Sequence, residues 1–246
     1  MNDSQSPYLT LVIPAYNEEQ RIGDTLEGMI DYFMKKDFRT EIIVVDDGST
    51  DDTRGVVESF QGRGLPLRLV SYAPNQGKGF AIRAGMLEAG GTYVLFTDAD
   101  TSTPVEMFDR FEPHLAAEAD VVIGTRKIGD AHVGKHQPIL RESMGKVFTW
   151  LSNKILGLSL SDFTCGFKCF QRRTIEPVFG NQRIDGWSYD TEILFLARLK
   201  GFRIIEVPVN WYNDEATRVK LLRNTIVCLG ELFTIWNNNR KGLYSK

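Results

Sequence analysis

Five short apolar runs, at residues 9–13, 41–45, 67–72, 93–97 and 120–124, are separated by longer amphipathic stretches at 18–35, 53–62, 78–89 and 105–117. Short apolar runs bounded by Gly, Asp and Pro read as strands, and longer stretches with a 3.6-residue period read as helices. Strands that alternate with helices pack as a mainly parallel sheet with helices on its faces. The expected fold class is therefore α/β. Each of the first four strands runs out into a polar loop, at 14–18, 46–52, 73–79 and 98–104. In such sheets ligands bind beyond the carboxyl ends of the strands, so these loops share one rim where chemistry is expected.

The second half lacks this alternation. Helices are expected over 139–158, 189–200 and about 219–236, a strand over 203–211, and a mixed polar and aromatic segment over 162–170. No internal repeat or low-complexity linker interrupts the 246 residues, which form one large domain most simply. A formal net charge of -3 provides no global basic field for nucleic acid, so any polyanion site must be local. Cys165, Cys169 and Cys228 form no C-x-x-C pair, which points to a reducing compartment rather than a disulfide framework or zinc ribbon. Residues 1–8 are polar, unlike a secretory signal, and no stretch reaches the roughly 18 apolar residues of a membrane span.

The strongest local signal is the apolar run 93–97 leading straight into Asp98-Ala99-Asp100. On an extended chain alternate side chains share a face, so both carboxylates can project toward one hard cation. Mg²⁺ or Mn²⁺, bound by a few carboxylates plus substrate phosphates, suits a nucleotide diphosphate leaving group. Asp46 and Asp47 end a second strand on the same rim. Asn75-Gln76-Gly77-Lys78-Gly79 has glycines that permit close backbone approach and a lysine beside them, but not the spacing of a P-loop. His114, His132 and His136 do not converge on a metal site.

V-I-P-A-Y-N-E (12–18), V-V-D-D-G-S-T-D-D-T (44–53), N-Q-G-K-G-F-A-I-R-A-G (75–85) and T-D-A-D (97–100) occur in that order. Together they resemble the inverting family 2 glycosyltransferases of the GT-A fold over nearly the whole chain. The second half is similar to the dolichyl- or polyprenyl-phosphate sugar synthases through I-G-T-R (123–126), Arg141, D-F-T-C-G-F-K-C-F (162–170), Y-D-T-E (189–192) and E-V-P-V-N-W (206–211). C-G-F-K and V-N-W are closer to the glucosyl branch, which uses UDP-glucose, than to the mannosyl branch, which uses GDP-mannose.

The resemblance implies one GT-A domain over 1–246: a nucleotide-sugar half at about 8–124, an acceptor-side half at about 125–218, and a C-terminal helix and tail at about 219–246. It places Pro14, Ala15, Tyr16 and Glu18, Val45 and Asp47, and Lys78 around the nucleotide sugar. Asp98, Ala99 and Asp100 form the metal and sugar-diphosphate segment, with Ser102 near the cation. Arg126, Arg141, Arg218 and Lys220 would hold donor and acceptor phosphates. Mannosyl enzymes carry an arginine six residues before that lysine, where Asp214 stands here.

The implied reaction passes a sugar, glucose by preference, from a nucleotide diphosphate to a polyprenyl or dolichyl phosphate. An anionic acceptor needs no strong base, whereas a saccharide hydroxyl would need one, and Asp190 or Glu192 is then the candidate. A binding module without turnover is the alternative of another class. Leu222, Ile226, Leu229, Phe233 and Trp236 fall on one helical stripe whose burial is expected, against the protein's own sheet, a second subunit of a homodimer, or the headgroup region of a membrane. Residues 144–158, with Lys146, Trp150 and Lys154, are a second amphipathic stretch that could share a lipid-facing role. The resulting picture is a cytoplasmic protein held peripherally on a membrane surface.

Overall fold

The computed structural model describes residues 6–134, 139–212 and 221–244, with the side chains of 139–141 and 221–224 excepted. The chain alternates β1 (Leu9–Ala15), α1 (Ile22–Phe33), β2 (Thr40–Asp46), α2 (Thr53–Glu58), β3 (Leu67–Ser71), α3 (Lys78–Glu88), β4 (Tyr93–Phe96), α4 (Phe108–Ala116) and β5 (Val121–Thr125). It continues through α5 (Ile139–Leu156), β6 (Lys168–Gln171), α6 (Arg172–Phe179), α7 (Tyr189–Leu199), β7 (Ile204–Pro208) and α8 (Leu221–Arg240). One seven-stranded sheet runs β3-β2-β1-β4-β6-β5-β7. All neighbours are parallel except β6, which is antiparallel to both β4 and β5. The fold is the mainly parallel α/β sheet that the sequence implies.

Side chains alternate across this sheet because the strand period is two. Leu11 and Ile13 pack with α1 and α4 through Leu26, Phe33, Phe108 and Phe111, whereas Val12 between them packs with α3 and α7 through Ile82, Met86 and Ile193. Both faces are covered, and the central strands therefore read as unbroken apolar runs rather than as alternating ones. Each such side chain taken fully out of water contributes about 1.5–3 kcal/mol, which makes the sheet a rigid platform for the loops above it.

Two elements depart from expectation. The segment 162–170 runs into strand β6, Lys168–Gln171, and α6 follows it directly. Of the C-terminal stripe, Ile226 (73% exposed), Phe233 (62% exposed) and Leu229 face away from the core, Trp236 is partly buried against it, and the side chain of Leu222 lies outside the described residues; Leu232 and Ile235 carry α8 into the core. Periodicity locates an apolar face, but α8 has two, and the one that packs beside α5 and α7 carries Leu232 and Ile235.

Candidate active site

The loop after β2 fixes the loop before α3. Asp47 accepts hydrogen bonds from Asn75 Nδ2 at 2.8 Å and from the backbone N–H groups of Gln76 at 2.7 Å and Gly77 at 2.9 Å. Gly77 has φ +107°, and a β-carbon there would lie 2.5 Å from the carbonyl oxygen of Asp185. Only glycine meets both demands. α3 therefore begins at a set place, and Lys78, its first residue, reaches Asp98 with Nζ 2.6 Å from Oδ1.

Asp98 follows the end of β4, and the antiparallel register that pairs Phe96 with Lys168 brings Gly166 alongside it. Asp100 accepts the backbone N–H of Ser102 at 2.9 Å. Burial, and then repulsion from Asp98, raise the Asp100 pKa. Burial works against the charge on Lys78, but Asp98 outweighs it and the lysine's pKa is raised. Thr101, the next residue, is held at φ +50°, an unfavourable conformation for a β-branched side chain at the site's edge.

Two carboxylates that repel each other in a half-buried setting, one of them also paired with Lys78, offer oxygen ligands that fit a hard divalent cation. Among the described residues no group of three or more His, Cys, Asp or Glu converges, so a cation here would draw its remaining ligands from substrate or water. Asp98 and Asp100 would hold it.

A second pair lies beneath. Lys168 is fully buried, donates to the carbonyl oxygen of Cys165 at 2.6 Å and forms an ion pair with Asp190 on α7. Burial raises the Asp190 pKa, and Lys168 opposes the shift. Glu192, two residues further on in the same first turn of α7, is held by a different set of groups. It is fully buried and accepts from the N–H groups of Arg183 and Ile184 and from the Tyr244 hydroxyl.

At the end of β5, Arg126 grips Asp162 through two arms, Nε–Oδ2 at 2.7 Å and Nη2–Oδ1 at 2.9 Å, and lies over the Trp211 ring. Asp162 is fully buried; burial would raise its pKa, but Arg126 holds it well below the usual carboxylate range. Lys127 stands 3.9 Å from Asp162 and donates to Thr149 of α5. The Ser102 carbonyl accepts the N–H of Tyr212, which ties the Asp98–Asp100 loop to the segment beyond β7.

The remaining expected site residues are placed as follows. Pro14 and Ala15 end β1 as buried residues, and Tyr16 is 40% exposed at the rim. Glu18 pairs with Arg21. Asn17 accepts from Thr50, and its own N–H donates to Ser49, so the first two loops are laced together. Val45 is wholly in the core, where its side chain shapes the floor. The carbonyl of Ala99 accepts the Thr25 hydroxyl. Arg218 and Lys220 lie outside the described residues, as does the side chain of Arg141, whose backbone is in the first turn of α5. Lys168, Asp162 and Lys127 were not anticipated. A lone lysine inside the aromatic run 163–170, and the lysine next to the expected Arg126, were the available signals; Asp162, 36 residues from Arg126, had none. A cleft of about 570 Å³ between the loop after β2 and the end of β3 is lined by Asp46, Asp51, Asp52 and Glu58 among others, and does not include Asp98, Asp100 or Lys78.

The pattern that defines glycosyl transferase family 2 matches residues 10–179. A dolichyl-phosphate beta-glucosyltransferase of Trichomonas vaginalis is 34% identical over 233 residues, covering 89% of this chain and 70% of that protein. Enzymes with the same designation from Saccharomyces cerevisiae and Homo sapiens are 31% and 30% identical, covering 98% and 88% of this chain and 78% and 71% of theirs. In architecture the chain is similar to glucosyl-3-phosphoglycerate synthase from Mycobacterium tuberculosis, solved in complex with Mn²⁺, UDP and glucosyl-3-phosphoglycerate. The TM-score is 0.69 at 21% identity, with 94% of this chain and 80% of that one covered.

Proposed function

Since the chain belongs to glycosyl transferase family 2, we propose that it transfers glucose with inversion from UDP-glucose to a polyprenyl or dolichyl phosphate at a membrane surface. The observation that carries the acceptor assignment is the pairing of Asp190 with Lys168. The carboxylate that a hydroxyl acceptor would need as its base is committed to a buried ammonium, whereas a lipid phosphate arrives already anionic. The designations of the relatives that cover most of the chain support the same acceptor class.

In the reaction, a phosphate oxygen of the lipid attacks the anomeric carbon opposite the leaving group. The bond from that carbon to the UDP oxygen breaks, its electrons stay on UDP, and no proton moves. A divalent ion on Asp98 and Asp100 would stabilise the charge that develops on the departing diphosphate. Lys78, already beside Asp98, supplies a second positive charge at the same end. Ser102 fixes Asp100 through its N–H. Pro14, Ala15, Tyr16, Glu18 and Asp47 frame the nucleoside end. Arg126 and Lys127, with Arg141, Arg218 and Lys220, hold the acceptor phosphate against the donor's own negative charge.

The donor half spans about 8–124, the acceptor-side half about 125–218, and the C-terminal helix and tail about 219–246. Exposed Val147 and Trp150 on α5, and Ile226, Leu229 and Phe233 on α8, form the surface that meets the lipid. Lys146, Lys154 and Arg240 lie on these helices to meet anionic headgroups. No helix among the described residues is long and apolar enough to cross a membrane, which fits peripheral attachment. Three free cysteines support the cytoplasmic side.

Asp190→Asn separates the acceptor classes. With a polyprenyl phosphate it should keep substantial turnover. Near-total loss with intact donor binding would point to a saccharide hydroxyl as the acceptor, and donor binding without turnover on either acceptor would point to a binding module.

A further inference from the structure

The C-terminal helix is joined to the donor site through residues far from the chemistry. Glu231, on α8, accepts the backbone N–H of Ser188 through Oε2 at 2.8 Å. Its Oε1 lies so close to Gly186 that a β-carbon there would sit 2.1 Å away. Beyond α8 the chain turns back and buries Tyr244, whose hydroxyl donates to Glu192. The same carboxylate takes the N–H groups of Arg183 and Ile184, and Arg183 donates to the carbonyl of Leu243. α8 and the turn after it therefore grip both ends of the segment 183–192.

The other side of that segment lies on the donor loop. The Gly79 N–H donates to the Asp185 carbonyl at 2.9 Å, and Gln182 donates to the Gly79 carbonyl at 2.8 Å. A β-carbon on Gly79 would meet the Ile184 carbonyl at 2.7 Å. Lys78 stands between Gly77 and Gly79, and Asp190 stands between Ser188 and Glu192. Backbone pressed on backbone at these distances cannot shift on one side without moving the other.

We infer that Glu231 and Tyr244 are positioning residues for the diphosphate end of the site, acting through segment 183–192 on Lys78. This rests on the reading of the site as a nucleotide-sugar site. The helix that carries the exposed face Ile226–Leu229–Phe233 is then the same body that sets the donor lysine.

The test compares UDP with UMP, which share the nucleoside and differ by the phosphate nearest Lys78. Binding is measured by calorimetry with Mn²⁺ present for the wild type, Glu231→Ala, Glu231→Gln and Tyr244→Phe. Each protein is also labelled with 5-fluorotryptophan, which reports on Trp187, inside the gripped segment, and on Trp150, on α5. Glu231→Ala and Tyr244→Phe should cut the preference for UDP over UMP by about tenfold, leave UMP affinity unchanged and move the Trp187 resonance but not that of Trp150. Glu231→Gln keeps an oxygen for the Ser188 N–H and should restore the wild-type preference. Variants that keep the full preference, or that lose UMP and UDP affinity alike as their melting temperature falls, overturn the inference. A wild type that binds neither nucleotide overturns the donor reading itself, and the inference with it.

Discussion

Gly166 stands against Asp98 so closely that a β-carbon at Gly166 would lie 2.1 Å from the carboxylate oxygen Oδ2. The turn that leads into β6 thus serves as a wall for the carboxylate just beyond β4. Because Asp98 is a short side chain with its other oxygen held by Lys78, it has no free rotation with which to make room.

Gly166→Ala should therefore displace Asp98 while the sheet survives, at a stability cost of about 1–3 kcal/mol for overpacking. Activity should fall by about a hundredfold or more, because a displacement of about 1 Å at a reacting centre has that effect. Mn²⁺ binding followed by electron paramagnetic resonance, beside a thermal melt, checks both halves. Unchanged activity would show that Asp98 is not tightly placed.

Asp98→Asn and Asp100→Asn preserve size and remove charge. Turnover should fall by orders of magnitude in each, with the fold intact by circular dichroism, and excess chelator should abolish wild-type turnover. Full activity in Asp100→Asn, or in chelator, contradicts the metal assignment.

The Arg126–Asp162 pair should contribute to stability in a pH-dependent way. Since the folded Asp162 pKa is depressed, its contribution is complete above the unfolded carboxylate value of about 4 and is lost as pH falls toward the lower folded value. Arg126→Met strands a buried carboxylate and should cost about 3–5 kcal/mol near neutral pH. Its deficit relative to the wild type should shrink as Asp162 becomes protonated in acid. Denaturant melts of both proteins from pH 7 to pH 3 make the comparison. A deficit independent of pH would mean that packing against Trp211, rather than charge, is what Arg126 supplies.

Flotation with anionic liposomes tests the apolar surface. Phe233→Glu with Trp150→Glu should release the protein from vesicles and leave its melting temperature nearly unchanged, since both side chains are exposed. Wild-type protein that stays at the bottom of the gradient at low salt would turn attention to a second copy of the chain as the occupant of this face.

These sites differ in how far the sequence revealed them. The rim of strand-end loops was legible because it is local: each strand and the loop that leaves it are contiguous, so Asp98 and Asp47 could be assigned to one edge of the sheet from hydrophobic pattern alone. β6 was not, because it spans only Lys168–Gln171 and starts with a lysine whose burial depends on Asp190, 22 residues away. α6 contains Pro177 and has only eight residues, too few for a clear period. On α8 the sequence disclosed amphipathicity but not which face the core would take, since Leu232 and Ile235 are as apolar as Ile226 and Phe233. Glu192 had the same ambiguity: an acid in the first turn of a helix suits a base and a structural anchor equally, and the partner Tyr244 lies 52 residues further along.

A lipid-phosphate acceptor, glycosylated with inversion, is tested most directly on the product. Purified protein is incubated with UDP-α-glucose, Mn²⁺ and a polyprenyl phosphate in detergent or vesicles, and both UDP release and the anomeric configuration of the product are read. UDP release should depend on the lipid phosphate, with one glucosyl lipid phosphate formed per UDP and a β linkage in its proton spectrum. UDP release that ignores the lipid phosphate and follows an added saccharide, or an α-linked product, would contradict it.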